Sequence, residues 1–374
     1  MTRLRESVPR EDGFAMPPEY APHRGAWMIW PWRPDNWRLD GRPAQEVFAR
    51  VAAAIQPATQ VTVGATASQL ERARAALPAD VRVVELDSDD AWMRDVGPTF
   101  LTGPHGELRG VDWKFNAWGG ADGGLYASWD ADDRVAANVC EAEAADRYRA
   151  PLILEGGSIH VDGDGTLLTT EECLLHPNRN PTLSRGQIEQ HLRDYTGAKT
   201  VLWLGAGAVN DETDGHIDNL ACFARPGVVL LTGCDDPGDP QHAVSSDAIA
   251  RLRAATDAAG RELELVILPM PGPLLITAEE AGGVRPRVGS QPRTAGERLA
   301  GSYANFLVTN GRVIVPLLDE RTDDDALAIL AGAFPQHEVV GVPGCREILL
   351  GGGNIHCITQ QVPASRRDDR PVPA

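Results

Sequence analysis

The sequence predicts an α/β fold in which similar modules, each with a β-hairpin and a helix, repeat along the chain and close round a central axis. Two observations support this prediction. Pairs of strand-like runs joined by turn residues recur along the chain, and stretches with apolar residues three and four positions apart lie between them. The modules recur at intervals of roughly 60–80 residues, and a fixed period of this kind is typical of repeat architectures.

Four β-hairpins are predicted from their turns. The turn residues include Gly, Asn–Gly and Pro–Gly, which tolerate a positive φ or preset φ as a chain reversal requires. If the modules form a ring, equivalent strand ends face one central cleft, so polar residues at the starts of the hairpins are expected to converge. The predicted hairpins lie at 95–113, 158–168, 216–231 and 302–317, with turns at 103–106, 162–165, 225–227 and 310–311.

Five helices are predicted from apolar residues at helical spacing, at 44–55, 67–76, 184–195, 245–259 and 323–334. The two ends of the sequence, 1–15 and 365–374, are polar and rich in Pro, Arg and Asp, so we expect them to be frayed. No linker or low-complexity segment divides the chain between them. We therefore expect a single catalytic domain over residues 1–374.

The composition is that of a globular protein with an acidic balance. The chain has 374 residues, of which 43% are hydrophobic and 24% charged. Its 35 Lys and Arg residues against 53 Asp and Glu residues give a formal net charge of −18. Such a field repels nucleic acid and anionic membranes and favours cationic ligands, although acidity also serves solubility alone.

The cysteines and the apolar segments both predict a cytoplasmic location. The six cysteines are scattered and form no Cys-x-x-Cys pair, so we expect reduced thiols rather than disulfides. The first thirty residues contain no apolar signal-peptide core. The longest apolar stretch, 263–277, is broken by a glutamate and three prolines, and no membrane-spanning helix is expected.

One short pattern occurs twice and carries the strongest chemical signal. Glu155-Gly-Gly-Ser-Ile-His160 and Gly351-Gly-Gly-Asn-Ile-His-Cys357 share the skeleton Gly-Gly-polar-Ile-His. The first copy offers a carboxylate and the second a thiol. Glycine allows a sharp turn and a close approach of substrate, so the run before Cys357 has the form of a segment that presents a nucleophile. The two copies suggest related units that contribute different groups to one site.

Five residues form the candidate catalytic set. Asp95 precedes the first hairpin, Glu155 the second, His216 and Asp218 begin the third, and Cys357 begins the last strand-like segment of the chain. Residues 213–219 alternate, so His216 and Asp218 are expected on one face of a strand. The other five cysteines are expected to be inert core residues, and His160 and His356 to form structural hydrogen bonds.

This set suits a planar, delocalised cation. Two carboxylates can accept the paired N–H groups of a guanidinium and fix its central carbon, which a cysteine thiolate could then attack. Histidine can protonate the departing ammonia and afterwards activate water. This chemistry needs no metal and no organic cofactor. The Asp-Gly-Asp-Gly run at 162–165 lacks the later ligands of a calcium loop, so we expect a simple turn there.

Longer segments resemble the agmatine deiminases (agmatine iminohydrolases), a branch of the guanidino-group-modifying superfamily related to bacterial peptidylarginine deiminases. The resemblance runs nearly end to end and implies a five-bladed, pseudo-symmetric α/β propeller of the pentein type round a central active site. It also implies hydrolysis of agmatine to N-carbamoylputrescine and ammonia in putrescine metabolism. The segments that carry it are Met16-Pro-Pro-Glu-Tyr, Trp92-Met-Arg-Asp95-Val-Gly-Pro-Thr, Phe115-Asn-Ala-Trp-Gly-Gly120, Glu155 to His160, Asn210 to Asn219, Ala295 to Phe306 and Gly351 to Gln361.

By motif position, the resemblance implies a role for each candidate residue. Cys357 would be the nucleophile, His216 the general acid and base, and Glu155 the residue that orients His216 and binds the guanidinium. Asp95 and Asp218 would hold the guanidinium nitrogens. Glu212 and Trp92 are expected at the amine-bearing end of the substrate, and Trp118 is expected to close the pocket. The resemblance also suggests a homodimer.

One departure from the family pattern stands next to the catalytic histidine. The family often has Thr-Asn-Gly-His where this chain has Thr213-Asp214-Gly215-His216. The extra acid could change the charge of the site or cap a turn.

Three other functions fit parts of the same pattern. Free or peptidyl arginine is the nearest alternative substrate, and it would need a cation to meet its carboxylate. A metal-dependent hydrolase built on His216, Asp218 and Asp95 lacks the usual spacing of zinc ligands. A non-catalytic guanidine binder would need only the acids, so the presence of His216 and Cys357 argues against it.

Overall fold

The structure is a computed structural model that describes residues 2–365, apart from the side chain of Asp122. Within residues 2–365, seventeen strands form five small sheets. In chain order the strands are β1 (Leu4–Arg5), β2 (His23–Ile29), β3 (Val61–Ala65), β4 (Arg82–Glu85), β5 (Thr99–Thr102), β6 (Leu108–Lys114), β7 (Asp146–Ile153), β8 (His160–Val161), β9 (Thr166–Thr170), β10 (Thr200–Leu204), β11 (Ala221–Arg225), β12 (Val228–Thr232), β13 (Glu264–Leu268), β14 (Leu307–Thr309), β15 (Arg312–Pro316), β16 (Glu338–Val342) and β17 (Gln360–Pro363).

Helices connect the strands, and most of the longer ones lie between a hairpin and a parallel strand. Three short 3-10 segments, Arg38–Gly41, Gly156–Ser158 and Ile217–Asn219, complete the set. The helices are α1 (Arg42–Ile55), α2 (Leu70–Ala76), α3 (Met93–Val96), α4 (Gly120–Gly123), α5 (Asp132–Ala142), α6 (Glu171–Leu174), α7 (Arg185–Thr196), α8 (Pro240–Ala254), α9 (Ala278–Gly282), α10 (Asp323–Ala333) and α11 (Arg346–Leu349).

Every sheet repeats one pattern, an antiparallel pair followed by a parallel strand that a helical crossover brings back. The strand orders are β17-β2-β3-β4, β1-β7-β6-β5, β10-β9-β8, β11-β12-β13 and β14-β15-β16. A parallel neighbour needs such a crossover, whereas a hairpin needs only a tight turn. The result is the five-bladed α/β propeller that the sequence predicts.

All four predicted hairpins are present as β5–β6, β8–β9, β11–β12 and β14–β15. The fifth antiparallel pair joins β17 to β2, two strands that are far apart in the sequence. This pairing closes the ring of blades. It also places the residues just before β17 in the same ring as the starts of the other hairpins.

The predicted helices match α1, α2, α7, α8 and α10 with shifts at their ends. Helix α1 buries Val47, Phe48, Val51 and Ile55, as its apolar spacing predicts. Helix α5 was not predicted. No helix of residues 2–365 is long and apolar enough to cross a membrane.

Two local expectations differ from the structure. Residues 2–15 are not frayed, because β1 pairs in parallel with β7 and Ala15 bridges to Thr102. Residues 366–374 of the second expected frayed end lie outside the described residues. In addition, His216 and Asp218 do not share a strand face. The chain turns at 213–216 and then forms a 3-10 segment, with Asp214 and Gly215 at positive φ, so the strand begins only at Ala221.

Candidate active site

The five candidate residues converge from four blades on one buried site. Three of them surround Gly157. A Cβ atom built on this glycine would lie 2.7 Å from His216 Nδ1, 2.8 Å from Asp218 Oδ2 and 2.9 Å from Asp95 Oδ1. Glu155 is two residues away, and Cys357 Sγ lies 3.5 Å from Asp218 Oδ2. Only glycine fits at 157 without displacing these groups.

The thiol of Cys357 is held from two sides. Asn305 Nδ2 donates to Cys357 Sγ over 3.0 Å, and Asn305 Oδ1 accepts the backbone N–H groups of His356 at 3.0 Å and Cys357 at 3.3 Å. Burial, together with the charges of Asp218 and Asp95, raises the pKa of Cys357 well above its usual range. Burial and the two carboxylates therefore favour the protonated thiol over the thiolate in this structure.

His216 lies between two carboxylates. Its Nδ1 is 3.8 Å from Asp95 Oδ1 and its Nε2 is 3.6 Å from Glu155 Oε2. Burial acts to lower the pKa of His216, but the charge of Asp95 and the contacts with Cys173 and Glu155 outweigh it and raise the pKa well above 6.5. The imidazole is thus a protonated acid near neutral pH in this structure.

Asp95 is oriented by two donors. The Gly157 backbone N–H donates to Oδ1 and Trp118 Nε1 donates to Oδ2, each over 3.0 Å. Burial raises the pKa of Asp95 to about 6; His216 opposes this rise, and the nearby Asp218 and Glu155 add to it. Trp118 is buried at a positive φ of 61°, in the glycine-rich turn that the sequence singled out. It contacts the site through a hydrogen bond to the acid.

Glu155 has a buried cationic partner, Arg179, whose Nε donates to Glu155 Oε1 over 2.7 Å. The same guanidinium donates to the carbonyl oxygens of Trp118 and Thr213 and to Asp214 Oδ2. Burial acts to raise the pKa of Glu155, but Arg179 and His216 lower it below 4.5, so the carboxylate stays ionised. The unusual acid Asp214 thus neutralises part of the charge of Arg179.

One set of side chains at the site could hold a metal ion. The ligand atoms of Glu155, Cys173 and His216 lie within 4.8 Å of one another. A cation there would lie beside the guanidinium of Arg179, which repels it. We assign these residues no metal.

Trp92 and Glu212, which are expected at the amine-bearing end of the substrate, lie against the glycine run before Cys357. Cβ atoms built on Gly353 and Gly352 would lie 2.8 Å from the ring of Trp92 and 2.7 Å from Glu212 Oε2. Trp92 stacks on Trp37 with the ring centroids 5.1 Å apart. Glu212 Oε1 forms an ion pair with Arg293, whereas Oε2 has no hydrogen-bond partner among the described residues.

Arg293 fixes this end of the site. Its guanidinium also donates to the Gly351 carbonyl over 2.7 Å and to Asn36 Oδ1 over 2.6 Å. Glu212 and Gly352 line a surface cavity of about 260 Å³. The carboxylate of Glu212 therefore stands between solvent and the glycine run.

Sequence reasoning gave no catalytic or binding role to Glu19, Arg179, Asn305 or His356, which the structure places in or directly behind the site. Three of them lie in segments that carry the family resemblance, Glu19 in Met16-Pro-Pro-Glu-Tyr, Asn305 in 295–306 and His356 in 351–361. A buried acid in an apolar and proline-rich segment was the available signal for Glu19. Arg179 lies in a loop with no motif and gave none.

Comparison with known proteins agrees with this geometry. The family described as Porphyromonas-type peptidyl-arginine deiminase matches residues 15–363. The chain is 58% identical to a putative agmatine deiminase of Pectobacterium atrosepticum over 360 residues, covering 96% of this chain and 97% of that protein. It is 57% identical over 363 residues to the agmatine deiminase of Pseudomonas aeruginosa, covering 96% and 98%.

A solved structure gives the same result. The agmatine deiminase of Enterococcus faecalis superposes with a TM-score of 0.94 at 47% identity, over 97% of this chain and all of the other. The match extends through all five blades. The chain therefore belongs to the Porphyromonas-type peptidyl-arginine deiminase family and, within it, to the agmatine deiminases.

Proposed function

We propose that this protein hydrolyses agmatine to N-carbamoylputrescine and ammonia through a covalent intermediate on Cys357. The observation that carries the proposal is the convergence of a thiol, an imidazolium and three carboxylates on Gly157 and the glycine run. The similarity to agmatine deiminases over nearly the whole chain supports the substrate. Each residue role below belongs to the same proposal.

Binding of the guanidinium falls to Asp95 and Asp218. Asp218 Oδ1 is buried without a hydrogen-bond partner among the described residues, so it can accept from the substrate. Guanidinium N–H pairs match carboxylate oxygens in geometry and charge. The cation also offsets the charges of Asp218 and Asp95 that keep Cys357 protonated, so binding lowers the pKa of the thiol. The thiol proton then passes to solvent and leaves the thiolate when substrate is present.

The reaction then proceeds in two halves. The Cys357 thiolate attacks the guanidinium carbon and forms a C–S bond. The His216 imidazolium donates its proton to one terminal nitrogen, and the C–N bond breaks to release ammonia. This leaves a thiouronium on Cys357 and a neutral His216. The imidazole takes a proton from water, the hydroxyl adds to the same carbon, and the C–S bond breaks to give the ureido product and the thiol.

Glu155 orients His216 in this scheme. Arg179 holds one of its oxygens, and the other faces His216 Nε2 at 3.6 Å. A carboxylate so fixed keeps the imidazole in place and stabilises its protonated form during each proton transfer. The second role expected of Glu155, contact with the substrate guanidinium, would involve the same side of the carboxylate that faces His216.

Product analysis tests the proposed bond cleavage. Mass spectrometry and an ammonia assay should find N-carbamoylputrescine and ammonia in equal amounts from agmatine. Urea and putrescine would show that the other C–N bond breaks, and the proposal would then be wrong. Unchanged agmatine with retained binding would favour a guanidine binder.

The distal end of the site favours an amine over a carboxylate. Glu212 Oε2 can accept from the substrate ammonium, while Oε1 neutralises Arg293. Free arginine would bring a carboxylate to the same place, where Glu212 repels it. Glu212→Gln should therefore lower kcat/KM for agmatine by about tenfold and leave the charge of Arg293 uncompensated, so that the arginine-to-agmatine ratio of kcat/KM rises. In the double variant Glu212→Gln/Arg293→Met the ratio should be lower than in Glu212→Gln, because the uncompensated charge of Arg293 is gone. An unchanged ratio in the single variant would contradict this role.

The lack of a side chain at Gly157 is expected to be essential for turnover. In Gly157→Ala the new methyl group would press on His216, Asp218 and Asp95 at 2.7–2.9 Å, in the space that the guanidinium uses. We expect kcat/KM to fall at least about 100-fold. The matched control is Gly332→Ala in α10, where a Cβ atom meets nothing within 4 Å and activity should be unchanged. Equal activities of the two variants would contradict the placement of the substrate.

Four expectations of the sequence stay predictions. They are the single catalytic domain over residues 1–374, the homodimer, the cytoplasmic location and catalysis without a metal or organic cofactor. Turnover that survives exhaustive chelation would support the last of them.

A further inference from the structure

The two copies of the Gly-Gly-polar-Ile-His pattern meet on one buried glutamate behind the site. Their histidines, His160 and His356, have ring centroids 6.5 Å apart. Glu19 Oε2 lies 2.8 Å from His356 Nε2 and 3.9 Å from His160 Nε2. Glu19 comes from the loop before β2, so the sequence repeat becomes a spatial pair on a third segment.

The two histidines differ in what they reach. His356 Nδ1 lies 2.7 Å from Asp218 Oδ2, which completes a continuous chain from Glu19 through His356 to Asp218. Asp218 Oδ2 is also the atom 3.5 Å from the Cys357 thiol. His160 instead accepts the Phe223 backbone N–H at Nδ1 over 3.2 Å and has no contact with Asp218 at hydrogen-bond distance.

The charges alternate along this series of hydrogen bonds, from Glu19 through His356 to Asp218. Burial and Arg94 act to lower the pKa of His356, but Glu19 and Asp218 raise it above 6.5. Burial acts to raise the pKa of Asp218, whereas His356 lowers it. Burial lowers the pKa of His160 to about 4, so this second histidine is neutral. An imidazolium between two carboxylates uses both of its N–H groups, a fully satisfied arrangement for buried charges.

We propose that His356 and Glu19 are positioning residues that hold Asp218 ionised, with Oδ2 occupied and Oδ1 directed to the substrate guanidinium. The proposal rests on the proposed deiminase function and adds to it a second layer of residues. Glu19 fixes the ring of His356 by accepting from Nε2, and His356 then donates from Nδ1 to Asp218. Of these three residues, only Asp218 touches the substrate.

Arg94 closes the arrangement from the side of the nucleophile. Its backbone N–H donates to the Cys357 carbonyl over 3.0 Å, its Nε donates to the His356 carbonyl over 3.3 Å, and its guanidinium lies 3.9 Å from Glu19. His356 and Arg94 are thus cations that face both Glu19 and Asp218, and His216 is a third cation that faces Asp218. Removal of one cation should make Asp218 a weaker acid, and the binding of a guanidinium should then depend on pH.

The test is calorimetric binding of agmatine, with arginine beside it, to a Cys357→Ala parent that cannot turn over. We expect His356→Gln to weaken binding at least about tenfold at about pH 8. The loss relative to the parent should be larger at about pH 6, because Asp218 then becomes protonated. His160→Gln is the matched control and should change binding less than about threefold at both pH values.

Glu19→Gln keeps the test decisive if His356→Gln does not fold. It should weaken binding with the same pH trend. The double variant Glu19→Gln/His356→Gln should bind no more weakly than His356→Gln, because both residues act through the same series of hydrogen bonds to Asp218. Equal losses at the two pH values, additive losses, or an equal loss in His160→Gln would overturn the proposal. A parent that binds arginine but not agmatine would refute agmatine as the substrate. The role of His356 would then still be tested by comparing how the parent and His356→Gln bind arginine.

Discussion

Cys357→Ala is expected to abolish agmatine turnover, with kcat reduced by at least about 10⁴-fold. Among residues 2–365, Cys357 is the residue whose thiol the structure places beside Asp218, at 3.5 Å from Oδ2, so its removal takes away the sulfur of the proposed C–S bond. Binding of agmatine should stay within a few fold of the wild type, because Asp95 and Asp218 retain their partners. Ammonia release in the steady state and calorimetry on the same preparation check both parts.

Cys222→Ala is the matched control for this variant. Cys222 is also a buried free thiol, and burial with the charges of Glu19 and Asp218 raises its pKa, but it lies in β11 and forms no hydrogen bond with a candidate residue among the described residues. Its replacement should leave kcat within about twofold. Substantial turnover by Cys357→Ala, or a similar loss in Cys222→Ala, would remove Cys357 from the role of nucleophile.

His216→Gln is expected to lower kcat by about 10²–10⁴-fold, the usual contribution of a positioned acid and base. Glutamine preserves much of the volume between Asp95 and Glu155 but cannot deliver a proton to the leaving nitrogen. In a rapid-quench experiment, the rate of ammonia formation in a single turnover should fall together with the steady-state rate, because the first half of the reaction already needs the proton.

The control for His216→Gln is His105→Gln, a change at an exposed turn before β6. It should leave the rate unchanged. A His216→Gln variant that retained more than about a tenth of the wild-type kcat would show that another group transfers the proton. Cys173, whose thiol lies 4.0 Å from Glu155, would then be the first alternative.

The blade pattern could be predicted from the sequence because it depends on local chemistry. Turn residues at 162–165, 225–227 and 310–311 act within a few residues, and apolar spacing sets the buried face of α1. The closure of the ring by β17 and β2 is a contact between distant segments, so no local signal reveals it. The family resemblance supplied that part.

The errors in the prediction have physical causes. Alternating residues around His216 matched a strand, but positive φ at Asp214 and Gly215 breaks the extended path. The polar segment before Val8 has the composition of a loose end, yet parallel pairing with β7 and a hydrogen bond from Arg3 to Asp146 fix it. Composition alone does not report whether a strand edge is available to pair with.

The candidate site divides in the same way. Cys357, His216, Glu155, Asp95 and Asp218 belong to segments that carry chemistry in their own sequence, and the structure brings them together. Arg179 and Glu19 act through partners 24 and 337 residues away along the chain. Such supporting residues are recognised from their contacts, which the fold creates.

The most direct test of the central claim is ammonia release by the wild-type protein from agmatine, free arginine and a blocked arginine peptide, measured side by side. We predict that kcat/KM for agmatine exceeds the other two by at least about 100-fold, because Glu212 meets the ammonium of agmatine, repels the carboxylate of free arginine and finds no ammonium in the blocked peptide. Equal or faster turnover of arginine, free or in the peptide, would contradict the assignment and move this protein to another branch of its family.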